Sequence, residues 1–265
     1  KDEASSNTTM AQIYVNHNFN KNVAVRLGRQ PIAFGNQGGW LYNGLEGYDG
    51  AQASYNNGKL SLTTGFGQLN ASDFTDDTDP DGNVISYGVT GTDMYFAKGA
   101  YDFGFAKLGA DYVKFQGDTN STDHYVAGDE LYGINLNIPV QQFNVFGEYW
   151  KNTNAADKYD TAWNAGLSYG KADWKKAGTW DLSVAYNDVD YNVYFGGGTW
   201  HNDMLKNFTA GYLNAYNLTF WTAIANVTLQ KNVQLHAEYA FAADAEGTNG
   251  VDPDDSWTVS LNYKF

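Results

Sequence analysis

Apolar and polar side chains alternate with a period of two along most of this chain. Val23, Val25 and Leu27 interleave with Ala24, Arg26 and Gly28; Tyr132, Ile134, Leu136 and Ile138 with Gly133, Asn135 and Asn137; Trp180, Leu182, Val184 and Tyr186 with Asp181, Ser183 and Asn187. The last segment sets Trp257, Val259, Leu261, Tyr263 and Phe265 against Thr258, Ser260, Asn262 and Lys264. That period belongs to strands, and no helical period of useful length competes with it. About thirteen such segments of roughly ten residues are predicted, near 9–19, 22–31, 48–56, 59–68, 92–102, 105–116, 129–138, 142–151, 159–169, 178–187, 215–229, 232–242 and 256–265. The chain is predicted to be all-β.

The connections alternate in length. Short ones such as Asn20-Lys21, Asn57-Gly58, Phe103-Gly104 and Gln230-Lys231 take one side, and long loops rich in Gly, Asp and Asn (32–47, 69–91, 117–128, 152–158, 188–214, 243–255) take the other. No linker divides the chain, so 1–265 reads as one domain. Many antiparallel strands build either a soluble sandwich or a transmembrane barrel. The aromatics decide for the barrel. Tyr55, Tyr112, Tyr149, Tyr169, Tyr186 and Tyr263 close their apolar runs and Trp163, Trp180 and Trp257 open others, which is where membrane barrels carry their girdles. The polar faces hold mostly small and amide residues, as a hydrated lumen would. The reading is a transmembrane antiparallel up-and-down β-barrel.

Composition narrows the function. With 16 Lys+Arg against 30 Asp+Glu, a net charge of −14 and a sequence pI near 4.4, the chain is unsuited to a phosphate backbone, so no nucleic-acid partner is expected. It has no Cys, which removes disulfides, thiolate metal sites and cysteine nucleophiles. No window approaches the roughly 18 apolar residues of a membrane helix. The first residues, Lys1-Asp-Glu-Ala-Ser-Ser-Asn, lack the apolar core of a signal peptide.

The terminal Ser-Trp-Thr-Val-Ser-Leu-Asn-Tyr-Lys-Phe, ending on Phe265, resembles the last strand that outer-membrane barrel proteins present to their assembly machinery. Arg26-Leu-Gly-Arg-Gln, a glycine-rich stretch and Tyr48-Asp-Gly-Ala-Gln-Ala-Ser-Tyr resemble the fifth strand, constriction loop and sixth strand of general diffusion porins. The acidic, tyrosine-rich, cysteine-free style is similar to the porin domains tethered by S-layer-homology modules in diderm Firmicutes. The resemblance implies a bacterial outer-membrane localisation and a homotrimer in lipid. It implies passive diffusion of small hydrophilic solutes and ions, and no enzymatic activity. In the tethered subfamily it implies a cell-wall anchor upstream. Matching 22–31 to a fifth strand leaves one strand before it where the family has four, so an N-terminal truncation of a 16-stranded barrel is expected; if one segment has been split or merged, a barrel of 12 or 14 remains open.

In such a porin an inward-folded loop narrows the lumen. Here 32–47 is the candidate, with Trp40 and Tyr42 as anchors and Glu46 and Asp49 as acceptors. Arg26, inward by strand parity, and Arg29, at the strand mouth, oppose them. An ordinary surface loop is the alternative. Parity also turns Lys98, Lys107, Asp111, Glu148, Asp181, His236, Glu238 and Lys264 to the lumen; taken singly, each reads as a solvated residue that tunes conductance. Asp77, Asp79 and Asp81 with Gly82 imitate the opening of a calcium loop, but its twelfth position is Gly88 instead of the bidentate Glu. An acidic loop bridged to lipid by divalent ions is the blander reading; no other cofactor is expected. An enzyme needs separate consideration. Glu148 and Glu238, near Trp150, would be the acid pair of a glycosidase or glycan-binding module on a soluble sandwich, and a barrel enzyme would need an Asp/His or Ser/His pair at the rim. The two Glu share no motif, and His17, His124, His201 and His236 share no metal-ligand spacing.

Overall fold

The computed structural model describes residues 12–35, 42–69, 77–78, 84–86, 92–116, 130–155, 158–193, 204, 215–247 and 252–264. Their strands are β1 (Ile13–Asn18), β2 (Val23–Phe34), β3 (Tyr42–Asn56), β4 (Leu60–Leu69), β5 (Asp77–Thr78), β6 (Val84–Ser86), β7 (Asp93–Asp102) and β8 (Lys107–Gln116). There follow β9 (Glu130–Val140), β10 (Phe143–Asn152), β11 (Thr161–Gly170), β12 (Trp180–Asp190), β13 (Ala215–Gln230), β14 (Val233–Gly247) and β15 (Ser256–Tyr263). β5 and β6 form a small hairpin of their own, and the other thirteen form one sheet in chain order. Every neighbouring pair in it is antiparallel, as the alternation of short and long connections predicts. The short turns are built locally: Asn20 Oδ1 accepts from the amides of Asn22 and Val23, and Gln141 and Asn232 take the left-handed backbone that closes their two-residue turns. β1 and β15 are not paired to each other. Thirteen up-and-down strands leave these two running in the same direction, so antiparallel closure needs an odd number of further strands between them.

The two faces of the sheet differ in kind. On one, large apolar side chains stand exposed, among them Leu27, Phe66, Ile134, Leu167, Val184 and Val259. A soluble sandwich would bury that face. Its aromatics gather in two belts. Near the long-loop end, Trp163, Tyr186 and Trp221 touch in succession across β11, β12 and β13, with ring centroids 5.4 and 5.3 Å apart, and Tyr112 meets Tyr132 at 5.0 Å. Near the short-turn end, Phe143, Tyr169 and Trp180 touch at 4.9 and 5.5 Å. Along β11 the belts are separated by about 20 Å of strand at roughly 3.4 Å per residue. An exposed apolar band between aromatic girdles is a surface made for lipid.

The opposite face is concave and splits into two zones. Toward the short turns it is polar, as predicted, with Asn137, Asn144, Ser168, Asp181, Ser183 and Asn226. Toward the long loops it is apolar and buried: Met94, Phe96, Phe115, Leu131, Trp150 and Leu218 form one core, joined by Val193 and Met204 from the connection after β12. A polar lining along the whole lumen is thus corrected to a lining over its short-turn half.

Because successive side chains leave opposite faces, neighbouring positions at mid-strand should tolerate charge very differently. Val184→Arg faces lipid near mid-band and should cost about 2–4 kcal/mol, whereas Ser183→Arg, on the concave face, should be tolerated. Urea unfolding in lipid vesicles measures both, and equal losses would contradict the assignment of faces.

Candidate functional site

The concave face is crossed by the hairpin at the ends of β2 and β3. The stretch 32–47, expected to be a loop, is largely strand: after a bulge between Gln30 and Ile32 the ladder resumes with Ile32 opposite Gly44, Ala33 opposite Asn43 and Phe34 opposite Tyr42. The bulge sits at Pro31, which has no amide to give a ladder, facing Gly47. A Cβ at Gly47 would lie 2.2 Å from Gln30 O, and its φ of +49° suits glycine. Beyond this bend the hairpin leaves the wall. Phe34 is fully buried and stands edge-on to Phe96 of β7 and Trp150 of β10, both at 6.2 Å between centroids. Lys98 of β7 donates to Ala33 O and holds its ammonium 5.2 Å from the Phe34 ring. Since β7 and β10 are remote from β2 in the sheet, these contacts span the concavity.

The wall has room for the two rings because glycines lie beneath them. A Cβ at Gly65 would be 2.6 Å from Phe96 Cε1, and one at Gly133 would be 2.6 Å from Trp150 Cε2. Below the hairpin is a polar cavity of about 390 Å³, lined by Gln52, Thr63, Lys98, Lys107, Asp111 and Asn135 under Ala33 and Phe96. Lys98 and Asp111 are cross-strand partners. Glu148, nearly buried, is partnered by Trp150 Nε1 and Asn164 Nδ2, both donating at 3.2 Å.

Six of the residues chosen from sequence as pore-lining share this face. Lys98, Lys107 and Asp111 meet at the cavity, Glu148 lies beside it, and Asp181 and Glu238 lie on the far arc of the sheet. Arg26 also points inward, its guanidinium 4.3 Å from the Tyr14 ring centroid. Arg29 and Asp49 do not. They are register partners on the outward face and form a bidentate pair at 2.8 Å, with half of the Asp49 side chain exposed. The reason is parity: positions three apart on a strand leave opposite faces, so Arg26 and Arg29 cannot line one wall. Tyr42 and Glu46 belong to β3 by their backbone, while Trp40, and the side chains of Tyr42 and Glu46, lie outside the described residues; so do Asp79, Asp81 and the side chain of Asp77. Lys264 lies over the Trp174 ring at 4.1 Å, beside a short turn. Glu148 and Glu238 are four strands apart, about 19 Å along the sheet at its usual strand spacing, and each is held by its own neighbours, so they make no acid pair. Outside the membrane band, on the loop before β11, Tyr159 donates to Glu246 at 2.8 Å, and that carboxylate pushes the phenol up from its ordinary value. Missed from sequence were Phe34, Phe96, Gln52 and Asn135.

No family model matches the chain, and no curated protein does. Solved structures do. OmpT of Vibrio cholerae is similar with a TM-score of 0.54 and 11% identity, over 92% of this chain and 77% of that one. Pseudomonas putida OprB gives 0.55 and 12%, over 94% and 71%, and a mutant of the Rh. blastica porin gives 0.51 and 11%, over 92% and 74%. At such identities the likeness establishes the fold, that of the outer-membrane porins.

Phe34 and the glycine under Trp150 should act as one unit. In a double-mutant cycle, Phe34→Ala and Gly133→Val should be non-additive by about 0.5–3 kcal/mol, because each removes the same seat. Urea titrations in lipid of the two single variants and the double variant measure the coupling; strict additivity would mean that the hairpin does not rest on Trp150.

Proposed function

We propose that this chain forms a porin-like channel of the bacterial outer membrane, through which small hydrophilic solutes and ions diffuse passively, narrowed by the hairpin of β2 and β3. The observation that carries this reading is the hairpin itself: a segment bent off the wall at Pro31 and Gly47, seated on residues of β7 and β10, above a polar cavity with lysines and a carboxylate. A stave of a closed, solid barrel would need neither the detour nor the cavity. Lumen charge at such a neck sorts ions by field, and width sorts solutes by size.

The proposal has no catalytic step. It includes a homotrimer, supported by the outward face of β3, β4 and β7, where the small residues Ala51, Ala53, Ala97 and Gly99 leave a shallow depression between Leu62, Phe66 and Tyr95 that suits close approach of another barrel. The calcium reading of Asp77, Asp79 and Asp81 stays a proposal.

Planar-bilayer recording tests the channel. The wild type should give discrete conductance steps, Phe34→Ala should enlarge them by opening the neck, and Lys98→Glu should move the reversal potential toward cations, because a charge within a Debye length of about 8 Å at physiological salt is felt by each passing ion. A folded wild-type barrel that conducts nothing would sink the reading.

A further inference from the structure

We infer that His236 is a second selectivity-determining residue of the channel, setting the charge of the lumen wall on β12–β15, away from the neck. This rests on the channel reading above, and on a hydrogen-bonded chain that runs across three strands. Asp181 of β12 accepts from the Ala172 amide at 2.9 Å through one carboxylate oxygen and from Asn226 Nδ2 of β13 at 2.7 Å through the other. That bond fixes the orientation of the Asn226 amide, because a carboxylate that only accepts must face its NH₂ group. Asn226 Oδ1 is therefore the atom that lies 2.7 Å from His236 Nδ1, and Nδ1 must carry a proton. On the other side of the ring, His236 Nε2 lies 2.7 Å from Glu238 Oε1. One more proton is shared along that contact, on the imidazole or on the carboxyl.

The charge follows from this arrangement. With the shared proton present, His236 and Glu238 together are neutral and Asp181 leaves the cluster with one negative charge. With it gone, the cluster carries two. Among the described residues, the groups facing the ring are Asn226 and Asp181 from β13 and β12, Glu238 from its own strand, and Ser260, its register partner on β15. The His236 side chain is 13% exposed and that of Glu238 2%, so their field is screened less than that of a solvated charge. All three groups stand on the concave face, in the polar half of the lumen.

Histidine alone among side chains ordinarily changes charge between pH 5 and 8, and the chain has 4 His and no Cys. His17 is on the outward face of β1, against Phe19, and His124 and His201 lie outside the described residues. Raising the pH should therefore make the lumen more cation-preferring through His236. The test is the reversal potential of wild type and His236→Gln channels under a KCl gradient at pH 6 and pH 9. The expected result is a wild-type shift toward cations at pH 9 that His236→Gln abolishes. A pH-independent wild type, or the same shift in His236→Gln, overturns this inference and leaves the channel intact; a folded wild type without conductance removes both. Nitrogen-15 NMR of the wild-type ring in detergent, assigned by loss of its signals in His236→Gln, gives an independent reading. A proton on Nδ1 at pH 7 supports the arrangement, and a ring protonated on Nε2 alone overturns it.

Discussion

Each backbone amide in the lipid-facing band has to find its partner within the protein, because hydrocarbon supplies none and each orphan costs several kcal/mol. Continuous antiparallel pairing from β1 to β15 is the response to that constraint, and the remaining features follow from it. A sheet that must stay paired cannot dip into its own lumen to build a neck. The segment that turns inward is accordingly a hairpin that pairs with itself, and it leaves the wall where Pro31 has no amide to give and Gly47 accepts a conformation other residues resist. The same constraint fixes which side chains meet, since the faces alternate without exception in a regular ladder.

A hairpin detached from the wall must be held by something other than the ladder. Here the support is aromatic and sits on backbone left bare for it. Gly65 and Gly133 stand under Phe96 and Trp150, and Phe34 fits against both rings. Burying apolar surface in the long-loop half therefore seats the hairpin and confines the polar lining of the concave face to the short-turn half. Lys98 joins the two zones, with its ammonium on Ala33 O at the hairpin and its register partner Asp111 in the cavity below.

Much of this was legible in the period of two. Thirteen strands, their one-sided short turns and the inward parity of Lys98, Lys107, Asp111, Glu148, Asp181 and Glu238 need only alternation. The pairing of Arg29 with Asp49 was legible too, by the same parity that separates it from Arg26; the Arg-x-x-Arg spacing drew attention to a cluster that a strand cannot make. The strand content of 32–47 was hidden by Pro31 and the glycines, which read as turn chemistry but here serve a bulge. The apolar half of the lumen had a signal: Tyr95-Phe96, Leu131-Tyr132, Tyr149-Trp150 and Phe220-Trp221 are consecutive large apolar pairs, so both faces are apolar there, and all lie toward the long loops. What alternation cannot give is contact across the lumen, because that depends on how the sheet curves.

The total charge of −14 is a poor guide to the field inside the sheet, and the placement of the described charges explains why. Arg29 and Asp49 cancel on the outer face, and Lys151 with Asp160 and Lys158 with Glu246 pair near the rim. Exposed charges farther than about 8 Å from the path are largely screened at physiological salt. Most of the described charges that the sheet turns inward fall on two arcs, with Arg26 apart from both on β2. The arc of β7, β8 and β10 brings Lys98 and Lys107 to Asp111 at the cavity, with Glu148 beside it, whereas the arc of β12–β14 sets Asp181 and Glu238 around a single histidine. Under the channel reading proposed above, an ion would meet both arcs together, and its preference would follow from the difference between them, which the proton shared by His236 and Glu238 alters by one charge.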